Sequence, residues 1–180
     1  MKTALVLFAA GSEELETVSI VNLMRRAGIP VTLAGLTSGA LAGSRGISLL
    51  PDTTLDAVLH DHFDLIVLPG GQPGTRHLMA DARVLQLIKQ MASQDKFVAA
   101  ICAAPMVLAA AGLLDGKRAT CYPTCLNDYP NVLVQASAIV EDGKLITSRG
   151  PGTAMDFALL LVERLAGKLK RDEVEAGLVR

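Results

Sequence analysis

The chain has 180 residues, of which 51% are hydrophobic and 19% charged, so it can bury a sizeable core as one domain. A net charge of −1 without a basic cluster argues against nucleic-acid binding, and no apolar stretch approaches the length of a membrane span. Three cysteines are too few, and odd in number, for a disulfide scaffold, so we expect reduced thiols in a cytoplasmic protein.

The first half of the chain alternates strand-like and helix-like segments. Residues 3–9 form an apolar run that resembles a signal peptide, but acidic residues follow it at once, which favours a buried first strand. A helix is predicted over 13–27, with acidic residues in its first turn, and a strand over 30–36. The Gly-, Ser- and Thr-rich segment 37–61 holds only short strand-like pieces. A strong buried strand at 64–68 then ends in Pro-Gly-Gly.

The second half continues the alternation and predicts a mostly parallel sheet with helices on both faces, an α/β fold. No linker divides the chain, so we expect one domain over residues 1–180. The predicted elements are a helix over 74–93, a strand at 97–101, a helix at 105–111, a possible strand at 118–122, a hairpin of 132–140 and 144–148 turning at Asp142-Gly143, a helix over 153–165 and a short helix from Asp172.

Cys102 lies where a strand-like run gives way to a helix-like one. Ala100 and Ala104 leave room for a sharp strand-to-helix turn, as in a nucleophile elbow with Ala in place of Gly. Pro105 suits the first turn of a helix, so the sulfur would stand at a helix N-terminus, where the thiolate is favoured. The N–H of Ala103 would point toward a bound oxyanion. The alternative is that Cys102 is a buried packing residue.

Other candidate residues follow the first and third long strands. In open α/β sheets, sites form outside the carboxyl ends of the strands, so these segments can meet the elbow. Glu16 lies one turn into the first helix and could face this crevice, whereas Glu13 and Glu14 are interpreted as solvated capping acids. Gly70 and Gly71 offer bare backbone N–H groups for an anion or carbonyl oxygen, although Pro-Gly-Gly alone is often just a turn.

Five segments in this order, GSEELETV, MRRAGIPVTLAG, VLPGG, AAICAAP and TSRGPGT, resemble the ThiJ/PfpI superfamily. The resemblance covers essentially the whole chain and is to the DJ-one branch, with bacterial YajL-like proteins and the parkinsonism-associated human deglycase. It implies a flavodoxin-like three-layer sandwich, usually assembled as a homodimer, with a helix that includes Arg26 in the interface.

The resemblance also implies roles for individual residues. Cys102 matches the reactive elbow cysteine, and Glu16 matches a protonated glutamate that hydrogen-bonds its sulfur. The remaining matches are to oxyanion-type backbone donors at Gly71 and Ala103 with Gly70 beside them, an arginine near the pocket mouth at Arg45, and a pocket-lining loop at Gly150 and Pro151.

The sequence departs from many members of the superfamily at Tyr122, where they carry a histidine before proline. Its histidines are His60, His62 and His77, which lie elsewhere in the chain. A Cys-His pair is therefore not supported, which disfavours a peptidase or amidase. His60 and His62 are interpreted as solvated rather than metal-binding.

Cys121 and Cys125 could supply two of the four ligands of a zinc site, but the sequence offers no second pair, so we predict no metal. Either is a bystander or a resolving thiol for oxidised Cys102.

Two main functions remain open, because they use the same residues. One is a glyoxalase III or protein deglycase-type enzyme, a hydro-lyase or hydrolase for dicarbonyls or glycated proteins that needs no cofactor. The other is an oxidative-stress sensor or redox-regulated chaperone.

Overall fold

The computed structural model describes residues 1–180 and is built on one large sheet. The strands are β1 (Ala4–Phe8), β2 (Val31–Gly35), β3 (Leu41–Ala42), β4 (Ser48–Leu49), β5 (Thr53–Thr54), β6 (Leu65–Leu68), β7 (Phe97–Ile101), β8 (Arg118–Ala119), β9 (Leu133–Val134), β10 (Ile139–Asp142) and β11 (Leu145–Ser148). The helices are α1 (Glu14–Arg26), α2 (Leu55–Val58), α3 (Gly74–Ala80), α4 (Ala82–Ser93), α5 (Pro105–Ala110), α6 (Ala154–Ala166) and α7 (Lys168–Ala176), with a 3-10 turn at Pro151–Thr153.

Seven strands form the main sheet in the order β10-β11-β7-β6-β1-β2-β5. Every neighbouring pair is parallel except the hairpin β10–β11. Strands β1, β6 and β7 are almost wholly buried, which explains their continuous apolar runs. The predicted mostly parallel α/β architecture is confirmed.

Helices cover both faces of the sheet and create two apolar cores. One core joins α1, α6 and α7 to one face, and the other joins α2 to α5 to the opposite face. The large side chains at their centres include Phe8 and Phe157 in the first core and Leu68 and Ile88 in the second. These three layers hold the central strands rigidly, so their carboxyl ends have fixed positions. None of the helices combines the length and the apolar character that a membrane span needs.

The structure corrects several predicted boundaries. The helix predicted over 74–93 is broken at Asp81, whose side chain accepts the Arg83 N–H at 2.9 Å and caps the second half. The last helix begins at Lys168 instead of Asp172, because Gly167, with φ of 87°, separates it from α6. The predicted long strand 132–140 is also wrong. Its first part contributes only β9 to a separate pair with β8, and α2 was not predicted.

Candidate active site

Cys102 follows β7 directly and forms a strained elbow. Its backbone is left-handed, with φ of 65°, a conformation that costs a non-glycine residue about 1–2 kcal/mol. Hydrogen bonds hold this turn: the Cys102 N–H donates to the Ser148 carbonyl at 2.9 Å, and the Cys102 carbonyl accepts the Tyr122 N–H at 2.7 Å. The elbow predicted from the alanines is therefore present. The helix that follows it has only six residues, so its dipole is small.

The glycines after β6 allow the backbone to approach two segments closely, the elbow at Gly70 and residues 11–13 at Gly71. A Cβ atom on Gly70 would lie 2.6 Å from the Cβ of Cys102, and one on Gly71 would lie 2.7 Å from the Gly11 carbonyl oxygen. Gly71 also has φ of 85°, which favours glycine. The backbone N–H groups of Gly71 and Ala103 interact with the Cys102 sulfur and favour its ionised form. Only glycine fits at positions 70 and 71, because a Cβ at either would lie too close to neighbouring atoms.

Glu16 projects from α1 into the protein behind the elbow, and its side chain is completely buried. Its Oε2 accepts the Gly70 N–H at 2.8 Å, while Oε1 is enclosed without a nitrogen or oxygen partner. The Cys102 thiol also interacts with this carboxyl and favours its ionised form. The Gly70 N–H is therefore not free for a bound oxyanion, contrary to the sequence prediction.

Burial raises the pKa of Glu16 to about 7, and the negative charge of Glu13 acts in the same direction. Burial, followed by the charge of an ionised Glu16, raises the pKa of the Cys102 thiol to about 12. This raised pKa differs from the prediction that the elbow and its acid partner favour the thiolate. Because two anions in contact repel each other, the pair holds one negative charge above about pH 7.

A cavity of about 370 Å³ opens in front of the Cys102 sulfur. Its wall combines polar side chains, backbone of the elbow and one aromatic ring. The lining residues are Glu13, Ser44, Arg45, Gly71, Gln72, Cys102, Ala103, Tyr122, Cys125 and Pro151. Glu16 is not among them, so it approaches the sulfur from the protein side and not from the cavity.

The two glutamates interpreted from sequence as solvated caps are buried, and this prediction is wrong. Glu14 Oε1 accepts the N–H groups of Arg45 at 2.8 Å and Ile47 at 3.0 Å. Burial opposes ionisation of Glu14, but these hydrogen bonds outweigh it and keep the pKa of Glu14 below its usual range. Glu13 Oε2 accepts the Ser44 hydroxyl at 2.6 Å. Both acids therefore tie the segment 43–47 to the start of α1.

The residues predicted at the pocket mouth are partly confirmed in position. Arg45 and Pro151 line the cavity, whereas Gly150 does not and donates its N–H to the Thr153 hydroxyl at 3.2 Å. Tyr122, which replaces the histidine that many members of the superfamily carry before proline, lines the cavity and is half exposed.

None of the three histidines lines the cavity, and His77 Nδ1 instead lies 2.9 Å from the Ala10 carbonyl oxygen. Cys121 is buried beside a neighbouring cavity of about 250 Å³, while Cys125 lines the Cys102 cavity. Burial raises the pKa of both thiols. Sequence reasoning missed Glu13 and Cys125 as cavity residues. The sequence did contain a signal for Glu13, because this residue follows the carboxyl end of β1, the edge of the sheet where sites form.

The model of the DJ-1/PfpI family matches residues 2–164, which include the elbow, the Pro-Gly-Gly turn and the acidic start of α1. The chain belongs to the DJ-1/PfpI family. Protein dj-1beta of Drosophila melanogaster is 47% identical over 183 residues, covering 99% of this chain and 97% of that protein. Its crystal structure superimposes with a TM-score of 0.96 at 46% identity, again over 99% and 97% of the two chains.

Two further DJ-1/PfpI relatives bear on function. A Caenorhabditis elegans protein named glutathione-independent glyoxalase DJR-1.2 is 33% identical over 177 residues, covering 96% of this chain and 94% of that protein. The structure of Toxoplasma gondii DJ-1, described as oxidized, has a TM-score of 0.95 at 35% identity and covers 99% and 98% of the two chains. The flavodoxin-like fold expected from the sequence is confirmed by these similarities.

Proposed function

We propose that the protein is a cysteine-dependent enzyme that acts on reactive dicarbonyls or their protein adducts. The observation that carries this proposal is the meeting of a strained cysteine and an enclosed carboxyl at the base of an open cavity. Cys102 lines the cavity, the completely buried Glu16 interacts with its thiol from the protein side, and the pair carries one negative charge above about pH 7. Such perturbed titrating groups in a cleft are typical of active sites.

The pair is suited to adding a thiolate to an aldehyde. With the proton on Glu16 and the charge on sulfur, Cys102 attacks the aldehyde carbon of methylglyoxal and forms a carbon–sulfur bond. The carbonyl electron pair moves to oxygen, which takes a proton from water in the cavity and leaves a hemithioacetal, while the enclosed Glu16 keeps its proton. The hydroxide left behind is used when the thioester is hydrolysed. The N–H groups of Gly71 and Ala103, which interact with the sulfur, lie where they can steady the developing charge.

A rearrangement then turns the hemithioacetal into a thioester of lactate, and water releases lactate and the thiol. The overall change is methylglyoxal plus water to lactate, so it needs neither an oxidant nor a cofactor. The same thiolate addition applies to glycated protein adducts. The name of the Caenorhabditis elegans relative supports the glutathione-independent reaction as the first to test.

Lactate production without glutathione tests this function directly. The purified protein should convert methylglyoxal to lactate, and Cys102→Ala should lower kcat/KM by a factor on the order of 10³ or more. Cys121→Ala is the matched control, because that thiol is also buried but lies outside the cavity, and it should stay close to wild type. Equal background loss of methylglyoxal with wild type and Cys102→Ala contradicts the enzyme.

A second candidate is an oxidative-stress sensor, favoured by the presence of another thiol in the same cavity. Peroxide would oxidise the Cys102 thiolate to a sulfenic acid and release hydroxide, and the Cys125 thiol could then displace water to form a disulfide. Mass spectrometry after mild peroxide treatment should find oxidation at Cys102 before Cys121. Even oxidation of all three cysteines contradicts a privileged sensor site.

We also propose that the protein is a homodimer through the outer face of α1. A groove of about 420 Å³ runs along this face, and Val18 is half exposed within it. The groove is lined by Thr17, Val18, Val21, Asn22, Arg25, Arg26, Leu33, Leu49 and Leu50. Exposed apolar patches of this kind mark interaction surfaces. Sedimentation should show a dimer that Val18→Glu dissociates, and a monomeric wild type contradicts the assignment.

A further inference from the structure

Glu13 and Glu16 are three residues apart, yet they face different surroundings. Glu16 is fully buried and absent from the cavity wall. Glu13 is 8% exposed, and that exposure is toward the cavity in front of Cys102. A substrate held in the cavity therefore meets the carboxylate of Glu13, while Glu16 meets the sulfur.

The backbone fixes Glu13 beside the elbow. Its N–H donates to the Gly70 carbonyl at 2.9 Å, and Gly70 in turn contacts Cys102 so tightly that a Cβ would not fit. Its carbonyl accepts both the N–H of Thr17 at 3.0 Å and the Thr17 hydroxyl at 2.8 Å. These contacts leave the main chain of Glu13 little freedom relative to the sulfur.

The two carboxylate oxygens of Glu13 differ in their partners. Oε2 accepts the Ser44 hydroxyl at 2.6 Å and lies 3.9 Å from Arg45 Nε. Oε1 receives no hydrogen bond from the protein and is not fully enclosed, although the side chain as a whole is nine-tenths buried. An unpartnered oxygen on an otherwise fixed side chain in a cavity wall is suited to accept a proton from a ligand.

We propose that Glu13 is the second catalytic residue, which moves the carbon-bound proton while Glu16 serves the sulfur. This inference rests on the proposed function. In the hemithioacetal, Glu13 takes the proton from C1, the electron pair forms the C1–C2 double bond, and the ketone oxygen becomes an enediolate oxygen. The proton on Glu13 exchanges with water in the open cavity, Glu13 then delivers a proton to C2, and the C1 hydroxyl proton passes to the C2 oxygen. The product is the lactate thioester, with every proton accounted for.

Glu13→Gln tests this role, since an amide of the same shape cannot relay the proton. We expect kcat to fall by a factor on the order of 10² or more at every pH. Glu14→Gln is the matched control, because it removes the neighbouring charge outside the cavity and its amide oxygen still accepts the N–H groups of Arg45 and Ile47. Its kcat should stay within about twofold of wild type.

Two further measurements separate proton transfer from an indirect effect. If Glu13 acts only through its charge on Glu16, Glu13→Gln will shift the pH profile to lower pH and keep the maximal kcat, which overturns the proposal. Iodoacetamide should still alkylate Cys102 in Glu13→Gln, and Glu13→Asp should recover part of kcat. In D₂O, wild type should place deuterium at C2 of lactate, since Glu13 exchanges with the open cavity. Complete retention of protium at C2 overturns proton transfer by Glu13.

The outcomes distinguish this inference from the proposed function. If wild type makes lactate and Cys102→Ala does not, normal turnover by Glu13→Gln overturns only the role of Glu13. If wild type makes no lactate, the glyoxalase function fails, and the proposed role of Glu13 fails with it.

Discussion

Cys102 and Cys121 are two buried thiols in neighbouring cavities, and burial raises the pKa of each. They differ in what surrounds the sulfur. Cys102 has a left-handed backbone, an enclosed carboxyl behind it and an open cavity in front, whereas no acid interacts with Cys121. Burial alone makes a thiol inert. A proton-sharing partner and access to the cavity are what can make the Cys102 sulfur reactive.

Removing the acid should produce the largest effect on this comparison. Glu16→Gln keeps an oxygen for the Gly70 N–H but cannot exchange a proton with the sulfur. We expect turnover of methylglyoxal to fall by about 10²- to 10⁴-fold. Alkylation of Cys102 by iodoacetamide at pH 8 should not slow, because the charge of ionised Glu16, which raises the pKa of the Cys102 thiol, is removed. Steady-state kinetics and peptide mass spectrometry measure the two effects.

Glu173→Gln, on the exposed side of α7, is the control and should leave both rates unchanged. Wild-type turnover by Glu16→Gln would show that the sulfur needs no acid partner, and the distinction between the two thiols would then rest on cavity access alone.

The second prediction concerns the effect of this acid on stability. The pKa of Glu16 rises from 4.5 to about 7 on folding, so the folded protein keeps a proton that the unfolded chain has lost between these pH values. The free energy of unfolding should therefore fall as pH rises through this window, by up to roughly 3 kcal/mol. Below pH 4.5 both states bind the proton and the effect vanishes.

Urea unfolding at pH 5 and pH 8 measures this difference. Glu16→Gln should lose this pH dependence and exceed wild type in stability at pH 8. An equal pH dependence in both proteins means that other groups cause it. No comparable loss of stability is expected in this window from Cys121, because its thiol stays protonated throughout.

The smallest predicted effect tests the backbone of the elbow. Gly70→Ala places a Cβ 2.6 Å from that of Cys102 and 3.0 Å from the Ala103 nitrogen, so the elbow must shift. We expect a loss of about 1–3 kcal/mol in unfolding free energy, together with reduced turnover. Gly152→Ala is the control, since a Cβ there meets nothing within 4 Å, and its stability should change by no more than about 0.5 kcal/mol.

A Gly70→Ala protein with unchanged stability and turnover would show that the elbow tolerates displacement. Its geometry would then not explain the difference between Cys102 and Cys121.

The sequence by itself determined the long central strands, most of the helices and the identity of the elbow cysteine. These features are local: continuous apolar runs give buried parallel strands, and small residues on both sides of Cys102 permit its turn. The order of strands places the start of α1, Gly70 and the elbow together, because β1, β6 and β7 are neighbours and end at one edge of the sheet.

Only the tertiary structure decided which acids are buried and which group each one meets. Glu13, Glu14 and Glu16 look alike as a run of acids at the start of a helix, where solvation is the ordinary outcome. Their surroundings come from segments far away in the chain: Gly70 for Glu16, and the segment 43–47 for the other two. Burial and hydrogen bonds with such distant partners set the charge of each carboxyl, so local sequence could not assign their roles.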